Sequence, residues 1–501
     1  MLRKIRIILA SVFFVCITML FLDFTGALHA WLGWMAKIQF LPAVLALNFG
    51  IVAGLLILTL LFGRVYCSVI CPLGVMQDII SWIHGKTKKK NRFRFNYSPA
   101  KNVLRYAVLA VFIIGLALGA HSIAILIAPY SAYGRIAGNL LAPIYQWANN
   151  GLAMIAERAD SYAFYSTEVW MRSLPTFIVA VVTFVVIFVL AWKNGRTWCN
   201  TICPVGTVLG FVSRFSIFAP AIDTEKCHSC GLCGRRCKSS CIDMQNHQID
   251  LSRCVACMDC IETCKGGAVH LAYRYKKTEK TAEGVENTGN VDKNRRAFIA
   301  SSAIAMTAAA SAKAQMLGGD GGLAPVSRAE RPERNLHPVP AGAKSVKNFN
   351  NHCTACQLCV SVCPNQVLRP STDLDTFMLP QMSFERGYCR PECTLCSEVC
   401  PTGAICKVNR VQKSSIQIGL AVVDHERCIV NTDNVSCGNC ARHCPAHAVR
   451  MVRKDSSDEN SLRIPTINEN RCIGCGACEN VCPARPLTAI HIEGYQTHKT
   501  K

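Results

Sequence analysis

The sequence lacks several motifs that would place it in a common class of enzyme. It has no Cys-x-x-Cys-His motif, so covalently attached c-type haem is not expected. No glycine-rich nucleotide fingerprint and no convincing nucleophile–histidine–acid triad stands out. Acidic residues are few, with 32 Asp and Glu against 54 Lys and Arg. What the chain has in abundance is cysteine, with 31 residues, and its chemistry is expected there.

Long apolar runs in the first 200 residues predict membrane-spanning helices. The chain is 51% hydrophobic, which is high for a purely soluble protein. Four stretches are near or above the roughly 20 apolar residues needed to cross a bilayer core. They cover residues 5–22, 43–61, 103–128 and 175–192. Buried helices of a large soluble domain are the alternative, but such helices seldom stay apolar all round over this length.

Basic residues predict how these helices are oriented. Residues 84–105 carry eight Lys or Arg and no acid, and residues 1–6 add three more. Because positive residues mark the cytoplasmic side, the N-terminus and this loop are expected in the cytoplasm. Four spans then return the chain to the cytoplasm near Arg196. The basic loop could instead bind nucleic acid, but beside two spans orientation is the simpler account, and no nucleic-acid partner is predicted.

Eight cysteines after the last predicted span have the spacing of a two-cluster bacterial ferredoxin, C-x2-C-x2-C-x3-C twice. The runs are Cys227, Cys230, Cys233, Cys237 and Cys254, Cys257, Cys260, Cys264. Three cysteines of one run and the last cysteine of the other are expected to hold each 4Fe–4S cluster. Cys264 would then complete the first cluster and Cys237 the second. Lys follows both final cysteines where Pro is usual, and Cys241 lies close enough to compete with Cys237.

The C-terminal third contains four further runs, each ending in Cys-Pro, and predicts four more clusters. The runs are Cys353, Cys356, Cys359, Cys363; Cys389, Cys393, Cys396, Cys400; Cys428, Cys437, Cys440, Cys444; and Cys472, Cys475, Cys478, Cys482. Zinc is disfavoured because structural zinc sites prefer two separated C-x2-C pairs. Disulfides would require an oxidising compartment, whereas the first two runs are expected in the cytoplasm. The chain is therefore predicted to bind six 4Fe–4S clusters, whose binding supplies much of the folding free energy.

A segment between the two groups of runs resembles an export signal. Residues 294–315 begin with Arg295 and Arg296, continue with an Ala-rich apolar stretch, and end in a small-residue Ala-Lys-Ala sequence. It predicts a fifth crossing that places the last four clusters in the periplasm. An Ala-rich cytoplasmic helix is the alternative, since alanine is the best helix former.

The predicted organisation is multi-domain. Residues 1–220 form an α-helical membrane domain with four spanning helices, and the Ala-rich segment is a candidate fifth. Residues 221–275 form a cytoplasmic two-cluster ferredoxin domain, residues 276–345 a linker, and residues 346–495 a four-cluster periplasmic ferredoxin domain. Both ferredoxin domains are expected to be α+β, built from βαβ units with short helices. The protein is accordingly predicted to be a multi-pass protein of the bacterial inner membrane.

Four cysteines outside the six runs form a repeat of their own. "GRVYCSVICPLG" contains Cys67 and Cys71, and "GRTWCNTICPVG", 132 residues later, contains Cys199 and Cys203. The repeat predicts two related membrane hairpins, with each motif at the cytoplasmic end of an inward-running helix. Cysteines four apart share one helix face. A redox or metal site and a helix-terminating turn with inert buried cysteines both fit the pattern.

Residues 1 to about 275 resemble the NapH type of membrane ferredoxin, in their four spans, two Cys-x-x-x-Cys-Pro motifs and two-cluster tail. Residues from about 295 resemble the NapG (MauM/NapG) type, a twin-arginine-exported four-cluster protein. These are ordinarily separate subunits, and the resemblance implies that here they are fused. The resemblance implies an oxidoreductase component of anaerobic respiration, a quinol dehydrogenase. It would pass electrons from the membrane quinol pool to a periplasmic reductase, typically of nitrate, or to a cytochrome.

The resemblance also implies how the last four runs share ligands. Their outer two runs would exchange their final cysteines, so that Cys482 completes the first cluster and Cys363 the fourth. Cys444 and Cys400 would cross between the inner two runs.

No quinol-binding or catalytic residue can be identified from the sequence. His121, within a predicted span, and His29, just beyond one, are candidates for a quinone or haem contact, although a lone histidine there is more often structural. Two other functions would use the same set of iron–sulfur clusters. One is electron donation for the maturation or reductive activation of another enzyme, and the other is a wholly cytoplasmic relay attached to the membrane.

Overall fold

The computed structural model describes residues 1–87, 95–119, 125–161, 163–275, 319–320, 324–325 and 330–500. The twin-arginine-like segment and His121 lie outside these residues. The predicted fifth crossing therefore stays a prediction.

Residues up to 213 form a helical part. Its α-helices are α1 (Leu2–Leu22), α2 (Ala27–Leu32), α3 (Trp34–Lys37), α4 (Phe40–Leu45), α5 (Phe49–Phe62), α6 (Val65–Val69), α7 (Pro72–Thr87), α8 (Asn102–Ala117), α9 (Pro129–Ile136), α10 (Ala142–Arg158), α11 (Leu174–Asn194), α12 (Thr197–Thr201) and α13 (Pro204–Ser213). A π-helical turn, Ala137–Leu141, joins α9 to α10.

Two of the four predicted spans are helices long and apolar enough to cross a membrane. These are α1 and α11, each of 21 residues, with mean hydropathies of 2.6 and 2.8. The run 43–61 is divided, because the backbone turns at Leu47 (φ 51°) and Asn48 then caps α5. Helices α5 and α8 have 14 and 16 residues, fewer than the roughly 20 that a straight crossing needs. The four-span arrangement stays a prediction.

The two Cys-x-x-x-Cys-Pro motifs occupy equivalent places in two copies of one helical unit. In each copy a long apolar helix ends at a glycine with positive φ, Gly63 (φ 73°) after α5 and Gly195 (φ 69°) after α11. A five-residue helix bearing the first cysteine follows, and the Cys-Pro step starts the next helix, where proline suits the first turn. Helix α7 packs on α11, and α13 packs on α5, so each copy lies against the other.

Residues 218–275 form the first cysteine-rich module. Its elements are β1 (Phe218–Ile222), α14 (Leu232–Arg236), β2 (Ile242–Asp243), β3 (Gln248–Ile249), α15 (Asp259–Thr263) and β4 (Val269–Tyr273). Strand β1 pairs with β4, and β2 pairs with β3. Both pairs are antiparallel.

Residues 330–500 form the second cysteine-rich module, after two short strands β5 (Gly319–Asp320) and β6 (Ala324–Pro325). Its elements are α16 (Val346–His352), α17 (Leu358–Ser361), β7 (Leu368–Pro370), β8 (Pro380–Met382), α18 (Leu395–Val399), α19 (Arg410–Ser415), β9 (Ile416–Val423), α20 (Ile429–Thr432), α21 (Asn439–Arg442), β10 (Val449–Arg453), β11 (Arg463–Ile467), α22 (Ala477–Asn480) and β12 (Ile490–Thr500). The antiparallel pairs are β7–β8, β10–β11 and β9–β12. Two-stranded sheets are marginal by themselves, so cysteine chemistry must help to hold both modules together.

The two modules contact the helical part at opposite ends of α1. At its N-terminal end, Arg3 makes ion pairs with Asp259 (2.7 Å) and Glu262 (2.5 Å) of the first module. At its C-terminal end, Phe21 and the carbonyl oxygen of Cys356 in the second module both lie against Gly134. A helix of 21 residues is roughly 30 Å long, close to the thickness of a bilayer core.

The contact at Gly134 gives a direct test of how the second module docks. A Cβ atom there would lie 2.4 Å from the Cys356 carbonyl oxygen and 2.9 Å from the Phe21 ring. Gly134→Ala is therefore expected to loosen this interface and to raise amide hydrogen exchange in residues 354–361 by tenfold or more. Gly151→Ala is the matched control, because a Cβ there meets nothing within 4 Å. Equal exchange in the two variants would contradict the docking contact.

Candidate functional site

In the first module the structure groups the cysteines around a cavity that fits a cluster. Cys254, Cys257 and Cys260 line it together with Cys237, the partner expected from the other run. Cys241 lies in the same wall, with its Sγ 3.5 Å from the Sγ of Cys237. Both sulfurs are therefore placed to serve as the fourth ligand. The sequence spacing also predicts Cys241 as the alternative to Cys237 for the fourth ligand position.

The other triplet of the first module lies beside α14. Cys233 is buried, and Cys227 and Cys230 are near enough to contribute to its raised pKa, whose main cause is burial. Cys264 packs against the apolar core that contains Cys233. The position of Cys264 is consistent with its predicted role as the fourth ligand beside Cys227, Cys230 and Cys233, which stays a prediction.

In the second module the sixteen cysteines form four sets, each of three cysteines from one run and the last cysteine of another. Set A is Cys353, Cys356, Cys359 and Cys400; set B is Cys389, Cys393, Cys396 and Cys363; set C is Cys472, Cys475, Cys478 and Cys444; set D is Cys428, Cys437, Cys440 and Cys482. Sets B, C and D each line a cavity.

The exchange of ligands differs from the one implied by the resemblance. Cys363 and Cys400 cross between the first and second runs, and Cys444 and Cys482 cross between the third and fourth. The expected exchange between outer runs and between inner runs is therefore wrong. The reason is local folding. The β7–β8 hairpin joins the first two runs, and the β10–β11 hairpin joins the last two, so neighbouring runs meet first.

The four sets follow one another from the helical part outwards. Set A lies against α9, where Cys356 and Cys400 are near the buried Tyr130. Cys396 of set B is near Cys359 of set A. The amide of Cys389 in set B donates to the carbonyl oxygen of Cys475 in set C at 2.9 Å. Sets C and D share the third and fourth runs, so the order is A, B, C, D.

Backbone amides are directed at several of these sulfurs. The N–H of Ala355 donates to Cys353 Sγ at 3.4 Å, and the N–H of Ala448 donates to Cys444 Sγ at 3.2 Å. The tight loops that bring them there contain positive-φ residues, Ala355 (φ 48°) in the first and His447 (φ 48°) in the second. Such N–H···S bonds stabilise anionic sulfur and tune the potentials of bound clusters.

The cysteine sets fit 4Fe–4S clusters better than single metal ions. Within the described ranges, no group of three or more Cys, His, Asp or Glu side chains stands at single-ion geometry. A zinc ion would need sulfurs about 2.3 Å from one centre. The cavities of sets B, C and D each have four cysteines in their lining, the number of thiolates that one 4Fe–4S cluster takes. When bound, each cluster supplies one-electron oxidation and reduction.

A separate cavity of about 540 Å³ opens where α1, α7 and the first module meet. Its apolar lining residues include Ile7, Ala10, Val75, Ile79 and Trp82, and its charged lining residues include Arg3, Arg6, Asp78, Lys238 and Asp259. Lys238 directly follows Cys237, and Asp259 directly precedes Cys260. The cavity thus lies between an apolar helix surface and two cysteine loops, a combination typical of cofactor and ligand sites.

Asp78 is the charged centre of this cavity. It receives ion pairs from Arg196 at 2.7 Å and from Arg6 and Lys238, each at 2.9 Å. Burial alone would raise the pKa of Asp78, but the charges of Arg196, Lys238 and Arg6 hold it well below its usual range. One ionised carboxylate therefore ties together α1, the second helical repeat and the first module. Sequence reasoning missed Asp78, because nothing in its local sequence marks it.

Of the two histidine candidates, the structure describes only His29. The Nδ1 of His29 lies 3.4 Å from Asp23 Oδ2, in the loop after α1 and outside the large cavity. Asp23 also accepts bonds from the amides of Thr25, Gly26 and Leu28. His29 therefore belongs to a turn that starts α2.

Comparison with known proteins supports an iron–sulfur assignment. Residues 44–91 and 176–220 match the model of a "4Fe-4S binding domain", and residues 352–404 and 435–485 match that of a "4Fe-4S dicluster domain". The first match covers the two Cys-x-x-x-Cys-Pro motifs. The second covers two pairs of neighbouring runs, in agreement with the exchange of ligands found in the structure.

Three relatives illustrate the similarity. The methylamine utilization ferredoxin-type protein MauM of Methylobacillus flagellatus is 32% identical over 151 residues, which cover 28% of this chain and 62% of MauM. The ferredoxin-type protein NapG of Escherichia coli is 30% identical over 156 residues, or 28% of this chain and 64% of NapG. The putative electron transport protein YccM of Escherichia coli is 26% identical over 228 residues, or 45% of this chain and 55% of YccM.

The chain spans just under two thirds of the length of the MauM and NapG relatives that it matches. No solved structure gave a significant match. The cysteine sets, the family models and the relatives agree with one another. The chain is therefore similar to the ferredoxin-type proteins MauM and NapG, and it contains stretches that match 4Fe–4S binding domains.

Proposed function

We propose that the chain is a membrane-bound quinol dehydrogenase, which passes electrons from the quinol pool to a periplasmic reductase or cytochrome. Six 4Fe–4S clusters would occupy the two cysteine-rich modules. The observation that carries this proposal is the 540 Å³ cavity between α1 and α7. It joins a membrane-facing apolar surface to the cysteine loops around Lys238 and Asp259.

The cavity offers surfaces that suit both the apolar ring and tail of a quinol and its polar hydroxyl groups. Trp82 and Ile79 on α7 and Ile7 on α1 offer apolar contact to a ring and tail. Trp82 and Ile79 are also partly exposed, at 58% and 37%, so the cavity is open at the surface of the protein. The polar wall offers Asp78 and Lys238 to the hydroxyl groups. Asp78 is ionised and held by three cations, so its part is to fix that wall rather than to take a proton.

The position of the second module supports its placement on the periplasmic side. It contacts the helical part through Gly134, Trp170 and Glu168, all in the connection between α8 and α11. Arg386 pairs with Glu168 at 2.8 Å and stacks on the Trp170 ring at 4.3 Å. The first module lies at the other end of α1, beside the basic N-terminus that favours the cytoplasm.

Set D marks the outer end of the relay and the place where an acceptor protein would dock. Its first two cysteines, Cys428 and Cys437, are separated by a long loop. In this loop residues 432–436 are exposed, and Val435 is 52% accessible. An exposed apolar residue next to a cluster site is suited to a transient contact with a soluble partner.

Filling the cavity is expected to block quinol oxidation selectively. Ser11 is an exposed residue of α1 that lines the cavity, and the next residue, Val12, is equally exposed but does not line it. Ser11→Trp should slow quinol-driven cluster reduction, followed by EPR, by tenfold or more. Dithionite should still reduce all clusters. Val12→Trp is the control. Failure of any quinol to reduce the wild-type clusters would refute the dehydrogenase assignment.

The proposed topology predicts which module a protease reaches first. With an epitope fused after Lys501, protease added to intact spheroplasts should remove the second module. An epitope inserted in the first module should survive until the inner membrane is opened. Protection of both modules in intact spheroplasts would favour a wholly cytoplasmic relay instead.

Lys413 should raise the potential of the cluster in set B. Its Nζ donates to the carbonyl oxygens of Arg390 (2.6 Å) and Cys393, within the set B loop. Burial alone would lower the pKa of Lys413, but the nearby Cys389 and Cys396 raise it above its ordinary value. Its positive charge therefore faces anionic sulfur and favours the reduced cluster.

Lys413→Met should lower the midpoint potential of one cluster by tens of millivolts, because the added electron loses a nearby compensating charge. Redox titration monitored by EPR measures this shift. Lys407→Met, at an exposed position six residues away, should leave every potential unchanged. Unaltered potentials in both variants would show that Lys413 acts on folding only.

A further inference from the structure

The two Cys-x-x-x-Cys-Pro motifs converge on one buried site. Cys67, Cys71, Cys199 and Cys203 are all between 4% and 5% exposed. Arg64, at the start of the first motif, donates to the carbonyl oxygen of Cys199 at 3.1 Å. Arg196, at the start of the second, donates to the carbonyl oxygen of Cys67 at 2.8 Å. The two repeats are thus joined by reciprocal bonds around a pseudo-two-fold axis.

Sulfurs of both motifs face the same two guanidinium groups. Nη2 of Arg64 lies 3.8 Å from Cys67 Sγ, and Nη1 of Arg196 lies 3.9 Å from Cys199 Sγ. Cys71 and Cys203, four residues further along each motif, lie in the same buried core as Cys67. The two motifs therefore meet at one place.

The site has an excess of buried positive charge. Arg64 is fully buried, and its bonds go to Asn200 Oδ1, to the carbonyl oxygens of Ser252 and Cys199, and to Cys67 Sγ at 3.8 Å. None of these acceptors is a carboxylate. The Nε of Arg64 and the Nη2 of Arg196 are buried and have no bonding partner.

Nearby acidic groups are too few to balance this charge. Arg196 shares its one carboxylate, Asp78, with Arg6 and Lys238. An unpaired buried cation costs several kcal/mol. Four thiolates around an iron–sulfur core would provide the missing negative charge next to both guanidinium groups.

We propose that Cys67, Cys71, Cys199 and Cys203 together hold a seventh 4Fe–4S cluster, a single site shared by both helical repeats. The two stretches that match a 4Fe–4S binding domain would then form one site, with two ligands from each. Zinc is disfavoured for the same reason as in the modules, since the sulfurs within the described residues do not stand at single-ion geometry. A disulfide is not formed in the structure, where all four thiols are free.

The site occupies an intermediate level along α1, between the two modules. Near the start of α1, Arg6 contacts the carbonyl oxygen of Ser68, next to Cys67. Further along, Thr18 bonds to the hydroxyl of Tyr133 at 2.5 Å, and the neighbouring Gly134 touches set A. Residues 6 and 18 of a helix are roughly 18 Å apart. The site therefore lies within one turn of α1 from the ion pair of Arg3 with the first module, and roughly 18 Å from the level of set A.

Direct contacts lead from the site towards both modules. On one side, Arg64 joins Cys67 to Ser252, two residues before Cys254 of the first module. On the other side, α7, which begins after Cys71, packs on α9, and α9 carries Tyr130 against set A. The cluster would relay electrons across the membrane part, which the six predicted clusters leave without a centre.

The electron balance rests on the proposed function. Oxidation of one quinol releases two electrons and two protons. The site accepts one electron from the first module and passes it to set A before it accepts the second. No bond forms or breaks at the cysteines, and the protons leave from the quinol cavity.

Metal and sulfide analysis of the purified full-length chain tests the site without quinol. The quadruple variant Cys67→Ser, Cys71→Ser, Cys199→Ser, Cys203→Ser should lose four irons and four sulfides per chain relative to the wild type. The control is Cys16→Ser with Cys406→Ser, which alters two cysteines outside every set and should lose none. Equal iron contents in the two variants, or four cysteines occupied by zinc in the wild type, would overturn the proposal.

A second variant covers the case in which the quadruple variant does not fold. Arg64→Gln keeps all four cysteines, and it should lower the potential of one cluster seen in dithionite titration by EPR. A wild-type chain with iron for only six clusters would overturn the proposal whatever the variants do.

Quinol-driven kinetics separate the seventh cluster from the proposed quinol site. In the quadruple variant quinol should reduce the first module and leave sets A to D oxidised, whereas no reduction in the wild type would refute the quinol site alone.

Discussion

The structure depends on burying many sulfur ligands in a chain that has little other means of holding them. The strands of both cysteine-rich modules pair only two by two, and short helices of four or five residues carry most of the ligand loops. Thiolates in such an interior need opposing charge and N–H donors. Backbone amides provide donors at Cys353 and Cys444, and Lys413 provides charge beside Cys389. In the helical part, Arg64 and Arg196 have the corresponding position next to Cys67 and Cys199.

Much of this arrangement could be predicted from the sequence because cluster ligands have fixed local spacing. Short-range patterns are enough to predict the six runs and the repeat containing Cys67 and Cys199. They also predict that Cys241 is an alternative to Cys237 as a ligand. The exchange of Cys363 and Cys400 could not be derived in this way, since it depends on which hairpins bring runs together. The family resemblance implied a different exchange of final cysteines. The β7–β8 hairpin brings the first two runs together and so determines the exchange of Cys363 and Cys400.

The helical part shows a different limit. Hydropathy predicts apolar runs, but it cannot show that Leu47 and Asn48 divide one of them into α4 and α5. Nor does any local signal identify Asp78, whose importance arises from three cations that lie 72, 118 and 160 positions away in the sequence. Long-range ion pairs of this kind leave no periodic trace. The reciprocal bonds of Arg64 and Arg196 are another example, because they are visible only once both repeats are folded together.

The sharing of Asp78 couples three distant parts of the chain. Its three cations come from the first residues of the chain, from the second repeat and from a cysteine loop of the first module. Because Lys238 directly follows Cys237, the ion cluster at the base of α1 is complete only when that cysteine loop has the position that the structure shows. A displacement of the loop would therefore be felt by α1 and by the second repeat through one carboxylate.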